Sequence, residues 1–153
     1  MFIDIVRTRH SCRDYSTKEL TEEQKSLLLE AGDLAPSSRD LRPVRLIRID
    51  DVGVIRSLVD CRAHGSTLAF RTAVFAVIVA VDPAVSDVWI EDASIASAFM
   101  QMEAEDLGLG SCWIQIRLRK NDETSAEQFV KEKAGVSDNL SIESIIAFGY
   151  KSE

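Results

Sequence analysis

Eight consecutive residues, V-F-A-V-I-V-A-V at positions 74–81, carry no polar side chain and include four valines and one isoleucine. The run is far shorter than the ~20 residues that a membrane-spanning helix needs. It also lacks the polar alternation of a strand with one wet face. It reads as a central β-strand covered on both sides, so the rest of the chain has to supply two covering layers. A chain of 153 residues can do this within one domain, since a domain near this size buries roughly 68–70% of its unfolded surface.

The covering elements are legible in order. Phe2, Ile5 and Val6 recur at helical spacing and predict a short helix ending near Thr8. T-E-E-Q at 21–24 is a capping-box pattern, predicting a helix to about Asp33 that Pro36 stops. V-R-L-I-R-I at 44–49 reads as a strand and 51–60 as a helix. From Trp89 to Leu107 small and apolar residues continue nearly all round a long helix, which predicts burial, in part against another subunit. G-L-G then ends it. C-W-I-Q-I-R-L at 112–118 is a predicted strand, S-A-E-Q-F-V-K-E-K at 125–133 a helix, and S-I-I-A-F-G-Y at 144–150 a final strand. The order α-α-β-α-β-α-β-α-β belongs to the α/β class, a single domain over 1–153 with helices on the faces of the sheet.

Charge and cysteines narrow the function. A net charge of −7 speaks against nucleic acid, whose partners carry a basic footprint. Yet residues 1–48 hold nine Lys/Arg against eight Asp/Glu, which points to a local anion site near the N-terminus. Cys12, Cys61 and Cys112 are odd in number and widely spaced, which fits neither a disulfide framework nor a zinc site. With only His10 and His64 to add imidazoles, no metal is expected. The start M-F-I-D-I-V-R-T-R-H has no signal-peptide character, and a cytoplasmic protein without a membrane span is expected. Neither G-x-G-x-x-G nor a Walker loop is present.

Three stretches carry candidate chemistry. In R-H-S-C-R at 9–13, an extended backbone would project Arg9, Ser11 and Arg13 to one side, about 6.5–7 Å apart at successive positions. Such a row suits an elongated anion, because guanidinium forks pair with phosphate oxygens. The same residues also read as a solvated basic turn at a helix C-terminus. The loop A-P-S-S-R-D-L-R-P-V at 35–44 crowds hydroxyls and charges together, although Pro, Ser and Asp also simply make turns. In L-G-L-G-S-C-W at 107–113, glycine permits a close approach to the backbone, and helix termination explains it almost as well. Trp89 and Trp113 are candidates to cover a ligand's ring or to fill the core, and Cys12 and His10 lie within the first stretch.

Taken together in register, R-H-S-C-R-D-Y, A-P-S-S-R-D-L-R-P-V, L-G-L-G-S-C-W and the closing A-F-G-Y resemble the FMN-dependent nitroreductase family over about residues 2–150. The resemblance implies an α+β sandwich, a mixed central sheet flanked by helices. It implies an intertwined homodimer with FMN at the subunit interface. Hydride would pass from NADH or NADPH to an electron-poor small molecule, such as a nitroaromatic or a quinone, by a ping-pong mechanism. By position, Arg9, His10, Ser11 and Arg13 match the first FMN-binding stretch. Arg9 and Ser11 would hold the phosphate and ribityl chain, with Arg13 near the N1/O2 edge of the ring. Pro36, Ser37, Ser38 and Asp40 match the loop that approaches the ring from the other subunit, and Gly110 and Ser111 would meet the flavin with main-chain groups.

The departures are specific. Where the family has Asn-x-Gln-Pro-Trp, this chain has Asp40-Leu41-Arg42-Pro43-Val44, so an amide donor becomes a carboxylate that only accepts. Beyond G-Y-K-S-E the family usually continues into a tail with a basic phosphate contact, a role for which Lys151 is the candidate within this sequence. Beside this reading stand a non-catalytic flavin-binding homodimer for storage or sensing, and a domain unrelated to flavin, either a phosphate- or coenzyme-A-binding enzyme or a simple interaction module. Glu103, Glu105 and Asp106 are expected to be the solvated end of the long helix.

Overall fold

The computed structural model describes residues 1–65 and 67–152. Its elements, in chain order, are α1 (Phe2–Thr8), α2 (Glu22–Asp33), β1 (Val44–Ile49), α3 (Val52–Ser57), β2 (Phe75–Val81), α4 (Trp89–Asp106), β3 (Gly110–Gln115), α5 (Ala126–Ala134) and β4 (Ser141–Gly149). Short 3₁₀ segments lie at Ser38–Asp40, Leu58–Cys61 and Thr67–Arg71. The sheet order is β1-β2-β4-β3, and its three ladders are antiparallel. The parallel component is a bridge between Ser11 and Ser111 beside β3.

Local chemistry accounts for where several elements start. Thr21 Oγ1 accepts from Gln24 N–H at 3.2 Å while Gln24 Oε1 accepts from Thr21 N–H at 3.0 Å, the reciprocal pair expected of T-E-E-Q. Asp51 Oδ1 caps α3 by accepting from Gly53 N–H at 2.7 Å. Ser125 caps α5 by accepting from Gln128 N–H at 3.1 Å. Gly135, at φ 69°, closes α5 in the left-handed region that glycine tolerates best.

The apolar run is the centre of the fold. Every residue of β2 is buried, and its alternation feeds two cores. Phe75, Val77 and Val79 pack with Leu28, Met100 and Ala104 from α2 and α4. Ala76, Ile78 and Ala80 pack on the other face with Ile55, Leu58, Phe70 and Val130. Full burial of one such large side chain contributes about 1.5–3 kcal/mol.

Two expectations change. β3 begins at Gly110 and ends at Gln115, because the chain turns at Arg117–Leu118, with Leu118 at φ 59°, before the predicted end at 118. Helix α4 is buried along one stripe, Ala93, Ala96, Ser97, Met100, Gln101 and Ala104, rather than nearly all round. Its outward face leaves Ile95 and Phe99 exposed, Phe99 by 42%, and α1 leaves Phe2, Ile3 and Val6 exposed beside it. These two helices border an open hollow of about 900 Å³, lined by Phe2, Val6, Ala98, Phe99 and Met102 among others. One chain has only one sheet face to offer α4, so the second apolar face stays uncovered. No helix among the described residues is long and apolar enough to cross a membrane.

Candidate functional site

After α1 the chain leaves the helix at Arg9 (φ −58°, ψ 126°) and runs extended along β3. Cys12 N–H donates to Ser111 O at 2.8 Å. Tyr15 fastens the far end: its hydroxyl donates to Cys12 O at 2.6 Å and lies 3.3 Å from Ala147 O, and its N–H donates to Thr72 Oγ1 at 3.0 Å. Burial and the neighbouring thiols push the Tyr15 phenol far up, so it stays protonated and donating. Two glycines make room for this. A Cβ at Gly149 would lie 2.7 Å from the Tyr15 Cβ, and one at Gly110 would lie 2.8 Å from the Cys12 Cβ and Sγ.

The alternation of an extended chain follows. Cys12 turns into the core while Arg9 is half-buried and Ser11 and Arg13 are exposed. Among the described residues, neither guanidinium nor the Ser11 hydroxyl has a side-chain hydrogen bond or ion pair within the chain. By contrast, the neighbouring Arg7 is spent on Asp4 at 3.4 Å. The stretch R-H-S-C-R is therefore extended, held by the bridge of Ser11 to Ser111.

Residues around this edge complete the group. Gly110 and Ser111 are buried at the start of β3, with Gln101 Nε2 donating to Ser111 Oγ at 3.4 Å. His10 stays exposed, with Nδ1 3.1 Å from Thr8 O, and the Cys12 thiol donates to Asp14 O at 3.1 Å. Lys151 reaches the same place but donates to Glu105 Oε2 at 2.8 Å. Burial works to raise the Glu105 carboxyl. Hydrogen bonds from Lys151 and Thr8 and the charges of Lys151 and His10 outweigh it and hold the group below its ordinary value. Glu105, with a side chain only 12% exposed, is therefore a partnered residue and not part of a solvated helix end. Glu103 is likewise half-buried, and burial together with Asp106 and Glu30 pushes its carboxyl up.

The second candidate loop lies elsewhere. Ser38 N–H donates to Asp92 Oδ1 at 2.8 Å near the start of α4, whereas Ser111 meets Gln101 nine residues later, or about 13.5 Å along the helix at 1.5 Å per residue. The loop also leads into β1, at the opposite edge of the sheet from β3. Within one chain, then, Arg9, Ser11, Arg13, Gly110 and Ser111 come together, and Pro36, Ser37, Ser38 and Asp40 stand apart from them.

That loop is strained: Arg39, Asp40 and Arg42 have φ of 51°, 53° and 53°, a conformation that costs a non-glycine residue roughly 1–2 kcal/mol. Arg42 ties it to its own stem, donating to Asp33 O at 2.8 Å, Ala35 O at 3.2 Å and the Asp40 carboxylate at 2.5 Å. Asp40 is thus paired with its neighbour Arg42 at the exposed surface of the loop.

Three features have no local signature in the sequence. Asp92 binds the loop from 54 residues away. Tyr15 locks the extended stretch. Glu143 interrupts an apolar strand and is 2% exposed. It lies at an irregularity of the β2–β4 ladder, where Ser144 pairs with Val79 and Ile142 with Ala80. Ser94 Oγ is 2.6 Å from Glu143 Oε1 and 2.7 Å from Ile90 O, so one hydroxyl proton faces two acceptors. A protonated Glu143 removes the conflict, donating to Ser94 while Ser94 donates to Ile90. Burial, only partly opposed by the Ser94 hydrogen bond and the Arg117 charge, pushes this carboxyl up to about 7. Trp89 and Trp113, by contrast, pack at the edge of the core formed with α2 and α4.

Known proteins share this architecture. The model of the nitroreductase family matches residues 6–65 and 63–150. An FMN-dependent nitroreductase from Clostridium difficile R20291 is 39% identical and superposes with a TM-score of 0.94 over 99% of this chain and 88% of that one. A protein of Archaeoglobus fulgidus, provisionally named NADH dehydrogenase/NAD(P)H nitroreductase, is 27% identical over 99% of this chain and 86% of its own length. A Desulfovibrio desulfuricans nitroreductase-fold structure in complex with FMN is 23% identical, with a TM-score of 0.79 over 99% of this chain and 87% of that one. With the family model matching nearly the whole length, this chain belongs to the nitroreductase family.

Proposed function

We propose that the chain is an FMN-dependent oxidoreductase that accepts electrons from NADH or NADPH and delivers them, in ping-pong order, to an electron-poor small molecule of the nitroaromatic or quinone kind. The observation that carries this reading is the row of Arg9, Ser11 and Arg13, extended beside Ser111 and without partners in the chain among the described residues. Two guanidiniums and a hydroxyl on alternate positions fit the donor needs of a phosphate joined to a polyol and a ring. Bound FMN supplies the two-electron chemistry. The protein's part is to hold and bias it: Arg9 and Ser11 take the phosphate and ribityl end, with His10, Gly110 and Ser111 beside them. Arg13 places a positive charge near the ring, where it favours the electron-rich form.

The assembly proposed is a homodimer. Pro36, Ser37, Ser38 and Asp40 stand apart from Arg9–Arg13 within a chain, toward the other end of α4 and the other edge of the sheet, and a second copy would bring them to the ligand. The uncovered faces of α1 and α4, with Phe2, Val6 and Phe99, provide apolar surface for that contact. Three free cysteines fit a reducing, cytoplasmic setting.

A non-catalytic flavin-binding dimer is the second reading, favoured by the carboxylate at Asp40, which is paired with Arg42. Anaerobic addition of NADH or NADPH to the FMN-loaded protein separates them. Bleaching of the yellow colour and its return on adding a nitroaromatic or a quinone is the expected result. Persistent colour with both donors refutes turnover, and absence of FMN binding refutes both readings.

A further inference from the structure

We infer that Asp92 is a positioning residue that holds the Ser37–Ser38 loop in the conformation in which it meets the flavin of the other subunit. The inference rests on the flavin-dimer reading above and adds to it the residue that makes the loop competent.

Asp92 is 3% exposed, and its carboxylate serves two segments at once. Oδ1 accepts from Ser38 N–H at 2.8 Å, and Oδ2 accepts from Ser86 Oγ at 3.1 Å. Ser86 Oγ in turn accepts from Val88 N–H at 3.3 Å, next to the start of α4. A buried carboxylate is tolerated only when such donors, here with the positive end of a helix, compensate it. The loop it holds needs an anchor, because Arg39, Asp40 and Arg42 all have positive φ without being glycine.

Other ties do not supply one. Arg42 and Ser37 close the loop on its own stem, through Asp33, Ala35 and Asp40. Arg39 reaches Asp87, but their side chains are 67% and 82% exposed, and such surface pairs contribute little. Packing does not fill the role either, since a hollow of about 280 Å³ lies beneath the loop, bordered by Pro36, Ser37, Arg42, Val44 and Asp92. Asp92 is the buried point at which the loop is bonded to α4.

The test compares Asp92→Ala, Asp92→Asn and Ser86→Ala in the FMN-loaded enzyme, measuring FMN affinity by flavin fluorescence, KM and kcat for a quinone acceptor, and the thermal midpoint. Asp92→Ala deletes both acceptors, so fewer molecules hold a competent loop. FMN affinity is expected to fall roughly tenfold to a hundredfold, with the acceptor KM raised more than kcat is lowered. Asp92→Asn keeps an oxygen for Ser38 N–H and offers an N–H to Ser86, and is expected to restore affinity to near the wild-type value. Ser86→Ala removes one donor and leaves the carboxylate in place, and is expected to weaken FMN binding severalfold; if Asp92→Ala does not fold, wild-type FMN affinity in Ser86→Ala overturns the inference. Wild-type FMN affinity and acceptor KM in Asp92→Ala, with only the midpoint lowered, overturns the inference and leaves the flavin reading standing. Asn as damaging as Ala overturns it as well. A wild-type protein that binds no FMN overturns the flavin reading and this inference with it.

Discussion

Replacing Glu143 with Gln should remove a pH dependence of stability that the wild-type chain carries in its core. The folded carboxyl sits near 7 instead of 4.5. Below pH 4.5 the folded and unfolded chains both hold the proton. Between there and pH 7 only the folded chain does, so the unfolded state binds fewer protons and stability falls as pH rises. At about 1.36 kcal/mol per pH unit, the full effect is about 3 kcal/mol, of which about 2 kcal/mol falls between pH 5 and 7. For a chain of this length that lowers the unfolding midpoint by roughly 4–8 °C.

The charged groups facing Glu143 are Glu91 on α4 and Arg117 beyond β3. Both remain in the variant, and Gln can still donate to Ser94. Thermal unfolding of the two proteins at matched FMN concentration, at pH 5, 6, 7 and 8, isolates the carboxyl as the difference between the curves. The wild type should lose ground steadily against Glu143→Gln up to about pH 7 and then level off. Parallel curves, or a wild type that gains on the variant as pH rises, would refute the claim that Glu143 is held protonated.

Arg9→Ala should weaken FMN binding roughly tenfold to a hundredfold by removing a charge-assisted contact, while Arg7→Ala, whose guanidinium is occupied by Asp4, should leave it unchanged; flavin fluorescence titration checks both. Phe99→Arg places a charge on the outward face of α4 and should raise the dimer dissociation constant by roughly a hundredfold or more, read by sedimentation or light scattering. Thr21→Ala removes the α2 cap and should cost about 1 kcal/mol, measured by denaturant unfolding.

How much of this was legible depends on how far apart the cooperating residues lie in the chain. T-E-E-Q announced α2 because Thr21 and Gln24 cap each other across three residues. The run at 74–81 announced a doubly covered strand because each face of β2 is apolar by itself. The start of β3 carries no local signal, because Gly110 and Ser111 are strand only through pairing with Gly149 and Phe148. Tyr15 lies against Gly149, and Asp92 bonds Ser38, across separations that no local pattern carries. The extended path of R-H-S-C-R is fixed by its pairing with Ser111, far along the chain. Glu103 and Glu105 looked like a wet helix end because charge suggests solvent, yet Lys151, 46 residues beyond Glu105, supplies it with a partner.

A crystal structure with FMN soaked or co-crystallised addresses the central claim most directly. The account predicts the FMN phosphate within hydrogen-bonding distance of Arg9 and Ser11, the ring edge near Arg13, and Ser37–Ser38 reaching the ring from a second copy of the chain. FMN bound elsewhere, or an empty site with Arg9 and Arg13 pointing into solvent at saturating FMN, would contradict it.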